Sequence, residues 1–378
     1  MAAINSGSIL LSKAVLKTET VAFGTSPSFT SGGRRLMIDP TGYINAGLTV
    51  DDQSDKSVGL LVRAIAQRTT VTSKMPTLSL NDPAVPVNEL PVWLSGVQYF
   101  APTTVGTAAA ATLGLAGTAN AWDYNFVLSN GTSGTAIPAA KSFSVVATGG
   151  NSNPGTEQYL LNYVMPTKIS LKASNDGLTS MNVDAFGQTL SKDTTVLNDA
   201  LPTDIYNMAG RLWKAYFYAS AAAWGTDAAG TSSTGAWTGG TAFSYLQDWS
   251  LDISTPNQPI AYQSGTISFT GHSQFAAPLL GEMSFTLSGG TDAITQVYDK
   301  FQAGTPSYWR LTWTDGTRQV DILACLIFTE VTPLSGDNNG VTTITARGVV
   351  NYDLTAAASL RIRAISDSLN ALPDGGTG

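Results

Sequence analysis

A chain of 378 residues, 43% of them hydrophobic, has room for two or three domains with buried cores. Only 12% of its residues are charged, about half the ordinary share; Gly, Thr, Ser and Ala fill the gap, a composition that suits β structure and a surface covered by neighbours. The net charge of -7 excludes a groove of clustered Lys and Arg built to grip phosphates, and one cysteine with one histidine excludes an intrachain disulfide and the common zinc constellations.

No apolar run approaches the roughly 18 residues of a membrane span. The opening MAAINSGSILLSK lacks the basic and apolar regions of a signal peptide. Together these predict a soluble protein made in a cytoplasm.

In chain order, residues 8–20 (SILLSKAVLKTET) alternate loosely between Gly7 and Gly24 and predict a strand. Val21-Ala22-Phe23-Gly24-Thr25 opens a Ser/Gly-rich loop. Strands are expected at 35–39 and 44–50. Residues 60–72 place Leu61, Ile65 and Arg68 on one helical face, but a later counterpart, 265–271 (GTISFTG), alternates as a strand and favours a strand in both places. Residues 77–80 (TLSL) predict a strand and 87–97 (VNELPVWLSGV) a short helix. An insertion at 101–141, rich in Ala, Gly and Thr, precedes a strand at 142–148 (SFSVVAT). Its length marks a surface excursion, or an arm to another subunit.

Residues 157–187 (EQYLLNYVMPTKISLKASNDGLTSMNVDAFG) read as a long strand, a turn at Asn175-Asp176-Gly177 and a returning strand. The chain writes this unit twice. In residues 318–348 (RQVDILACLIFTEVTPLSGDNNGVTTITARG), Ile322-Leu323 match Leu160-Leu161. Thr329 and Val331 match Thr167 and Ile169, Asn338-Asn339-Gly340 match the turn, and Ile344 matches Met181. The layout implies a tandem duplication. Residues 188–203, with Pro202, read as the linker.

The second copy opens like the first. Residues 211–220 (RLWKAYFYAS) lead to Ala223-Trp224-Gly225-Thr226 and a loop at 226–241. Residues 284–287 (SFTL) resemble TLSL. Residues 291–303 (TDAITQVYDKFQA) predict a helix with Thr291 as N-cap, an apolar face of Ile294, Val297, Tyr298 and Phe301, and Gly304 as its stop. Residues 308–314 (YWRLTWT) predict a strand with Trp309, Leu311 and Trp313 on one face. The expected domains are 1–197, with the insertion at 101–141, and 198–353. A tail at 354–378 is expected to be disordered at its end, with a short ordered piece at 360–365.

No catalytic, cofactor-binding or metal site is expected. A Ser-His-Asp arrangement could be imagined around His272, but no Gly-x-Ser-x-Gly elbow exists, and Gly271-His272-Ser273 reads as a strand-end turn. Cys325 sits in an apolar run and reads as a buried hydrophobe. Asp337-Asn338-Asn339-Gly340 lacks the alternating acidic spacing and closing Glu of a calcium loop, and reads as a turn. Asn130-Gly131-Thr132 matches a glycosylation acceptor that has no use without secretion. Tyr308, Trp309, Trp313 and Trp249 read as core rather than as a sugar platform.

The N-terminal strand leading into Lys17-Thr18-Glu19-Thr20-Val21-Ala22-Phe23-Gly24-Thr25, the sheet with one helix, the closing hairpin and the low-charge composition together resemble the tail tube (major tail) proteins of long-tailed, non-contractile bacteriophages. The resemblance implies a mainly β fold of two tandem β-sandwich or barrel-like domains, each with one short packed α-helix. It implies a structural virion protein and not an enzyme. Three chains would form a pseudo-hexameric ring, and rings would stack into a hollow tube that passes double-stranded DNA without binding it. Partners would be further copies of the chain and the tape-measure, tail terminator and distal tail proteins. The insertion and the loop at 226–241 are the expected contact segments. The different-class alternatives are a carbohydrate-binding or adhesin module, with exposed tryptophans, and a baseplate or capsid-decorating protein.

Overall fold

The computed structural model describes residues 13–19, 23–30, 33–36, 44–52, 69–97, 103–104, 110–111, 113, 115–116, 120–126, 140–148, 158–194, 205–228, 237, 239–255, 257–263, 265–273, 280–338 and 340–366. The first half runs β1 (Lys13–Thr18), β2 (Arg34–Arg35), β3 (Ile44–Asn45), β4 (Leu48–Asp52), β5 (Thr69–Lys74), β6 (Thr77–Asp82), α1 (Leu90–Ser95), β7 (Thr103–Thr104), β8 (Asn120–Phe126), β9 (Phe143–Thr148), β10 (Gln158–Ser174), β11 (Ser180–Phe186) and β12 (Thr189–Lys192). The second half runs β13 (Trp213–Tyr218), α2 (Ala221–Ala228), β14 (Thr241–Phe243), β15 (Leu246–Ser254), β16 (Gln258–Ile260), β17 (Gly271–Ser273), β18 (Leu280–Ser288), α3 (291–303), β19 (Ser307–Thr314), β20 (Gln319–Asn338), β21 (Val341–Val350) and β22 (Leu360–Ser366).

The protein is mainly β, and its strands belong chiefly to one large antiparallel sheet. Two long strands organise it. The first part of β10 lies between β9 and β12, and its second part between β11 and β15. The first part of β20 lies between β19 and β22, and its second part pairs with β21. Each long strand therefore crosses from an outer layer to an inner one. The inner layer has the order β3-β6-β11-β10-β15-β18-β21-β20. Among the described residues no path of paired strands returns to its start, so the expected barrel does not close within one chain.

The pairings repeat in order. β1–β2, β1–β9, β9–β10, β10–β11, β10–β12, β11–β6, β6–β3 and β4–β5 recur as β13–β14, β13–β19, β19–β20, β20–β21, β20–β22, β21–β18, β18–β15 and β16–β17. This register makes residues 77–80 equivalent to 282–285 rather than 284–287, because Leu78 and Met283 stand opposite the equivalent residues Ala185 and Gly348.

Period-2 patterning explains the inner layer. In β6, Leu78 and Leu80 are buried while Thr77, Ser79 and Asn81 are exposed; in β11, Met181, Val183 and Ala185 are buried while Asn182 and Asp184 are exposed. The apolar side packs on the outer strands. Residues of both halves, among them Leu16, Phe143, Ile169 and Trp93 with Leu251, Phe285, Trp309 and Ile322, share one continuous buried cluster.

Several expectations shift. The strand expected at 44–50 breaks into β3 and β4, since Gly47 takes φ 56 and any Cβ there would strike the Met75 carbonyl. Residues 60–68 and 1–12 lie outside the described residues, but 69–72 fall in β5 as a strand. Residues 265–271 do not form a strand; only Ser268 bridges, to Lys74, and β17 begins at Gly271. Residues 221–228, including the start of the loop expected at 226–241, form α2, anchored by the fully buried Trp224 and by Gly225 against Ala356. The expected linker contributes β12 to the first outer layer, and the expected tail contributes β22, buried throughout, to the second. Residues 367–378 lie outside the described ones.

Helix α1 is shorter than expected and wholly buried, with Pro91 in its first turn. Helix α3 joins an α turn at Thr291–Ala293, a π segment at Ile294–Tyr298 and an α turn at Asp299–Ala303, and ends at Gly304 in the left-handed region, φ 60. Thr291 is its first helical residue and Gly290 the cap. The wider π turn rotates the apolar face: Ala293 and Val297 are buried and Ile294 is exposed.

Candidate assembly interface

The two repeats meet edge to edge at β10 and β15, residues 168–174 running antiparallel to 254–248. The junction is well built. Lys168 Nζ lies 3.3 Å from Asp252 Oδ2. Thr255 donates its backbone N–H to the Thr167 carbonyl at 2.9 Å and its hydroxyl to the Pro166 carbonyl at 2.6 Å. Buried Asn257 donates Nδ2 to the Gly96 and Pro166 carbonyls at 2.9 and 3.0 Å, tying α1 to the junction.

The hairpin β16–β17 then reaches from the second repeat over the first. Phe269 packs against Tyr163 and Phe186, with ring centroids 5.1 and 5.2 Å apart, and Phe23 stacks on Tyr163 at 5.3 Å. The Tyr163 hydroxyl lies 2.7 Å from His272 Nδ1. Gln188 Nε2 donates to the Phe269 carbonyl at 2.7 Å, and Lys74 N–H to the Ile267 carbonyl at 2.9 Å. Burial lowers the His272 pKa, which keeps the imidazole neutral. His272 thus has a place in the contact between repeats.

Glu19 holds the receiving side of that contact. Its carboxylate accepts the Tyr163 N–H at 2.8 Å, the Gly24 N–H at 2.7 Å and the Ser144 and Ser142 hydroxyls. Tyr163 has φ 55, a conformation that costs a non-glycine residue on the order of 1–3 kcal/mol, and the Glu19 bond holds it there. Burial raises the Glu19 pKa against the lowering effect of those hydrogen bonds.

Two edges remain. At one end of the inner layer is β3, paired with β6 at Ile44 and Asn45. At the other is the second part of β20, which pairs with β21 and takes no other strand among the described residues. β3 stands to β6 as β15 stands to β18, and β20 stands to β21 as β10 stands to β11. The two edges therefore match the two strands that already pair inside the chain.

The free face of the inner layer is polar and mixed in charge. It carries Asp184, Asp248, Asp252, Glu282 and Glu330 beside Lys168, Lys172 and Arg347, set among Ser79, Ser170, Ser250, Ser284 and Thr345. Arg347 Nη2 lies 2.5 Å from Glu282 Oε2. An open cleft of about 350 Å³ on this face runs between Lys172 and Arg347.

The segments expected to make subunit contacts also pack within the chain where they are described. From the insertion, β8 pairs with β22 and β7 with β8, extending the outer layer of the second repeat in the same chain. From the loop at 226–241, Trp237 is buried under the Arg363 guanidinium, 3.8 Å from its ring. Tyr308, Trp309, Trp313 and Trp249 are buried, as is every tryptophan whose side chain is described, so no exposed tryptophan platform is found among the described residues. Cys325 is buried and free. Sequence reasoning passed over β15, although Trp249, Leu251 and Ile253 alternate with polar residues, and it placed Ile44 and Asn45 in a strand without marking them as an edge.

Comparison of the chain with models of known protein families, and with curated protein sequences, finds no match.

Proposed function

We propose that this chain is the tube-forming subunit of a long-tailed, non-contractile bacteriophage tail, built from two tandem tail-tube-like units. Three copies close a pseudo-six-fold ring, and rings stack head to tail into a hollow tube for passage of the genome. One observation carries the reading. Two equivalent half-sheets join edge to edge inside the chain and leave matching edges at its two ends. A heterologous contact of this kind repeats until rotation closes it, and closure removes the edges that otherwise invite aggregation.

Eight inner strands per chain give a ring of about 24 strands for three chains. At about 4.8 Å per strand its circumference is about 115 Å and its diameter about 37 Å, more with strand tilt. The polar face then lines the lumen. Its acidic excess and small hydroxyl residues suit a surface that a polyanion slides along. The partners of such a tube are the tape-measure, tail terminator and distal tail proteins, and its location is the virion.

Electron microscopy of the concentrated full-length protein tests the reading. Hollow tubes, or rings with three-fold and pseudo-six-fold symmetry, are the expected result. Rings that never stack would favour a baseplate or capsid-decorating role. A strictly monomeric protein at every concentration would remove the proposal.

A further inference from the structure

We propose that the second part of β20 pairs with β3 of a second copy of this chain in one fixed register, with Thr332 opposite Asn45, and that Pro333 guards this edge in the free chain. The assignment rests on the ring-forming reading and adds to it the residues, the register and the inequality of the two kinds of junction.

The register follows from the internal junction. Pro166 and Phe328 stand opposite the equivalent residues Ala185 and Gly348, and Lys168 and Glu330 opposite Asp184 and Arg347, each after one bulged threonine. Ser170 is therefore equivalent to Thr332. On the other strand, Asp252 pairs with Glu282 as Asn45 pairs with Thr77. Ser170 pairs with Asp252, so Thr332 takes Asn45, and Val331 takes Ala46. The internal ion pair of Lys168 with Asp252 becomes Glu330 facing Asn45, an acceptor facing an amide donor.

The chain limits this second junction. The Thr255 N–H bond to the Thr167 carbonyl sets the alternation on β10, so Ile169 and Leu171 turn their backbone groups towards β15. Their equivalents are Val331 and Pro333. Pro333 stands where an N–H would face the incoming strand and supplies none. The ladder to β21 slips between Thr332 and Gly336, leaving Leu334 78% exposed. The chain-to-chain pairing is thus shorter than the internal one and lacks its ion pair. A free chain presents an edge that admits a matching strand at 329–332 and little else.

Paired cysteines in the full chain test this. Ser170 and Asp252 are a non-hydrogen-bonded pair, the closer kind, about 4.5 Å between Cα atoms, within disulfide range. Asn45→Cys with Thr332→Cys, oxidised under assembly conditions, should give covalent dimers and trimers. Either single variant, and the out-of-register pair Asn45→Cys with Leu334→Cys, should stay largely uncrosslinked. The two sites in one chain lie seven strand spacings apart, about 34 Å, so a bond between them joins chains. Buried Cys325 leaves the wild type as a clean control.

Rings or tubes seen by microscopy without the Asn45–Thr332 crosslink would overturn the junction and leave the ring reading standing. Monomers only, in wild type and variants alike, would overturn both. If the cysteine pair disturbs folding, Asn45→Asp with Glu330→Lys recreates the internal ion pair. It should lower the protein concentration needed for assembly several-fold, and an unchanged or higher concentration would overturn the register.

Discussion

Thr167 and Thr329 occupy the same bulge in the two repeats. Each is skipped by the ladder to the next strand, and each turns its hydroxyl onto the carbonyl across that bulge, Asp184 at 3.1 Å and Arg347 at 3.3 Å. A bulge is a specific local device, and its recurrence with the same side-chain bond ties the hairpins together more firmly than their few identities do. Valine keeps the shape and loses the bond. Thr167→Val and Thr329→Val should each lower the urea midpoint by the equivalent of about 0.5–1 kcal/mol. Effects differing by more than about 1 kcal/mol would argue against structural equivalence.

The second repeat carries a buried ion pair. Arg363 and Asp321 are fully buried with Nη2 2.8 Å from Oδ2. Gln319 and Thr312 complete the carboxylate shell at 2.7 and 2.8 Å. Arg363→Met leaves Asp321 buried without its cation and should cost about 3–5 kcal/mol. Adding Asp321→Leu should recover part of that loss. Denaturation of the wild type and the two variants decides it, and an Arg363→Met variant as stable as the wild type would show that the pair is not a closed unit.

Asp82 gives a pH dependence with a definite sign. It is buried at the end of β6, its Oδ1 accepts the Ala84 N–H, and no hydrogen-bond partner is found for Oδ2 among the described residues. Burial pushes its pKa from 3.8 up to about 6. A raised folded-state pKa favours the fold when protonated. Its contribution is full below about pH 4 and lost as pH rises through 6. Asp82→Asn should therefore stabilise the protein at pH 8, by up to about 2 kcal/mol, and do little at pH 4. Urea midpoints at the two values check this; equal effects at both would refute it.

His272 works in the opposite direction. Burial lowers its pKa, so its contribution is present above the ordinary imidazole value and lost as pH falls through the lowered one. Tyr163→Phe keeps the ring contacts with Phe23 and Phe269 and removes the bond to Nδ1. A loss of about 1 kcal/mol at pH 8 is expected, smaller once the pH has fallen through the lowered imidazole pKa, where the buried cation already weakens the contact. A loss that grows on acidification would refute the assignment.

Pro333→Val restores an N–H to the open edge. Light scattering should show faster self-association at equal protein concentration, with the urea midpoint little changed. Slower association would mean that Pro333 shapes the joined edge instead of guarding it.

Deleting residues 105–135 removes β8 from the outer layer beside β22. Read from sequence as a surface excursion or an arm to another subunit, the segment would be expected on removal to leave a folded chain that assembles poorly. The structure changes that expectation to one of lost stability, since Ile362 and Ala364 would lose their neighbouring strand.

Local patterns along the chain were enough to determine the two long hairpins, the strand of Trp309, Leu311 and Trp313, the helix stop at Gly304 and the recurrence of the hairpin layout. These are local: alternation, a turn residue or a left-handed glycine writes them into adjacent residues. The tertiary structure alone decided that 360–366 is a core strand, since Arg361 and Arg363 look like surface residues until Asp321, Trp237 and the Asp227 carbonyl surround them. It alone placed the insertion beside β22 and Ile294 outside the core. It alone decided that β15 joins β10. Edge pairing uses backbone groups that every residue carries, so no side-chain pattern announces which edges meet or which are left for another chain.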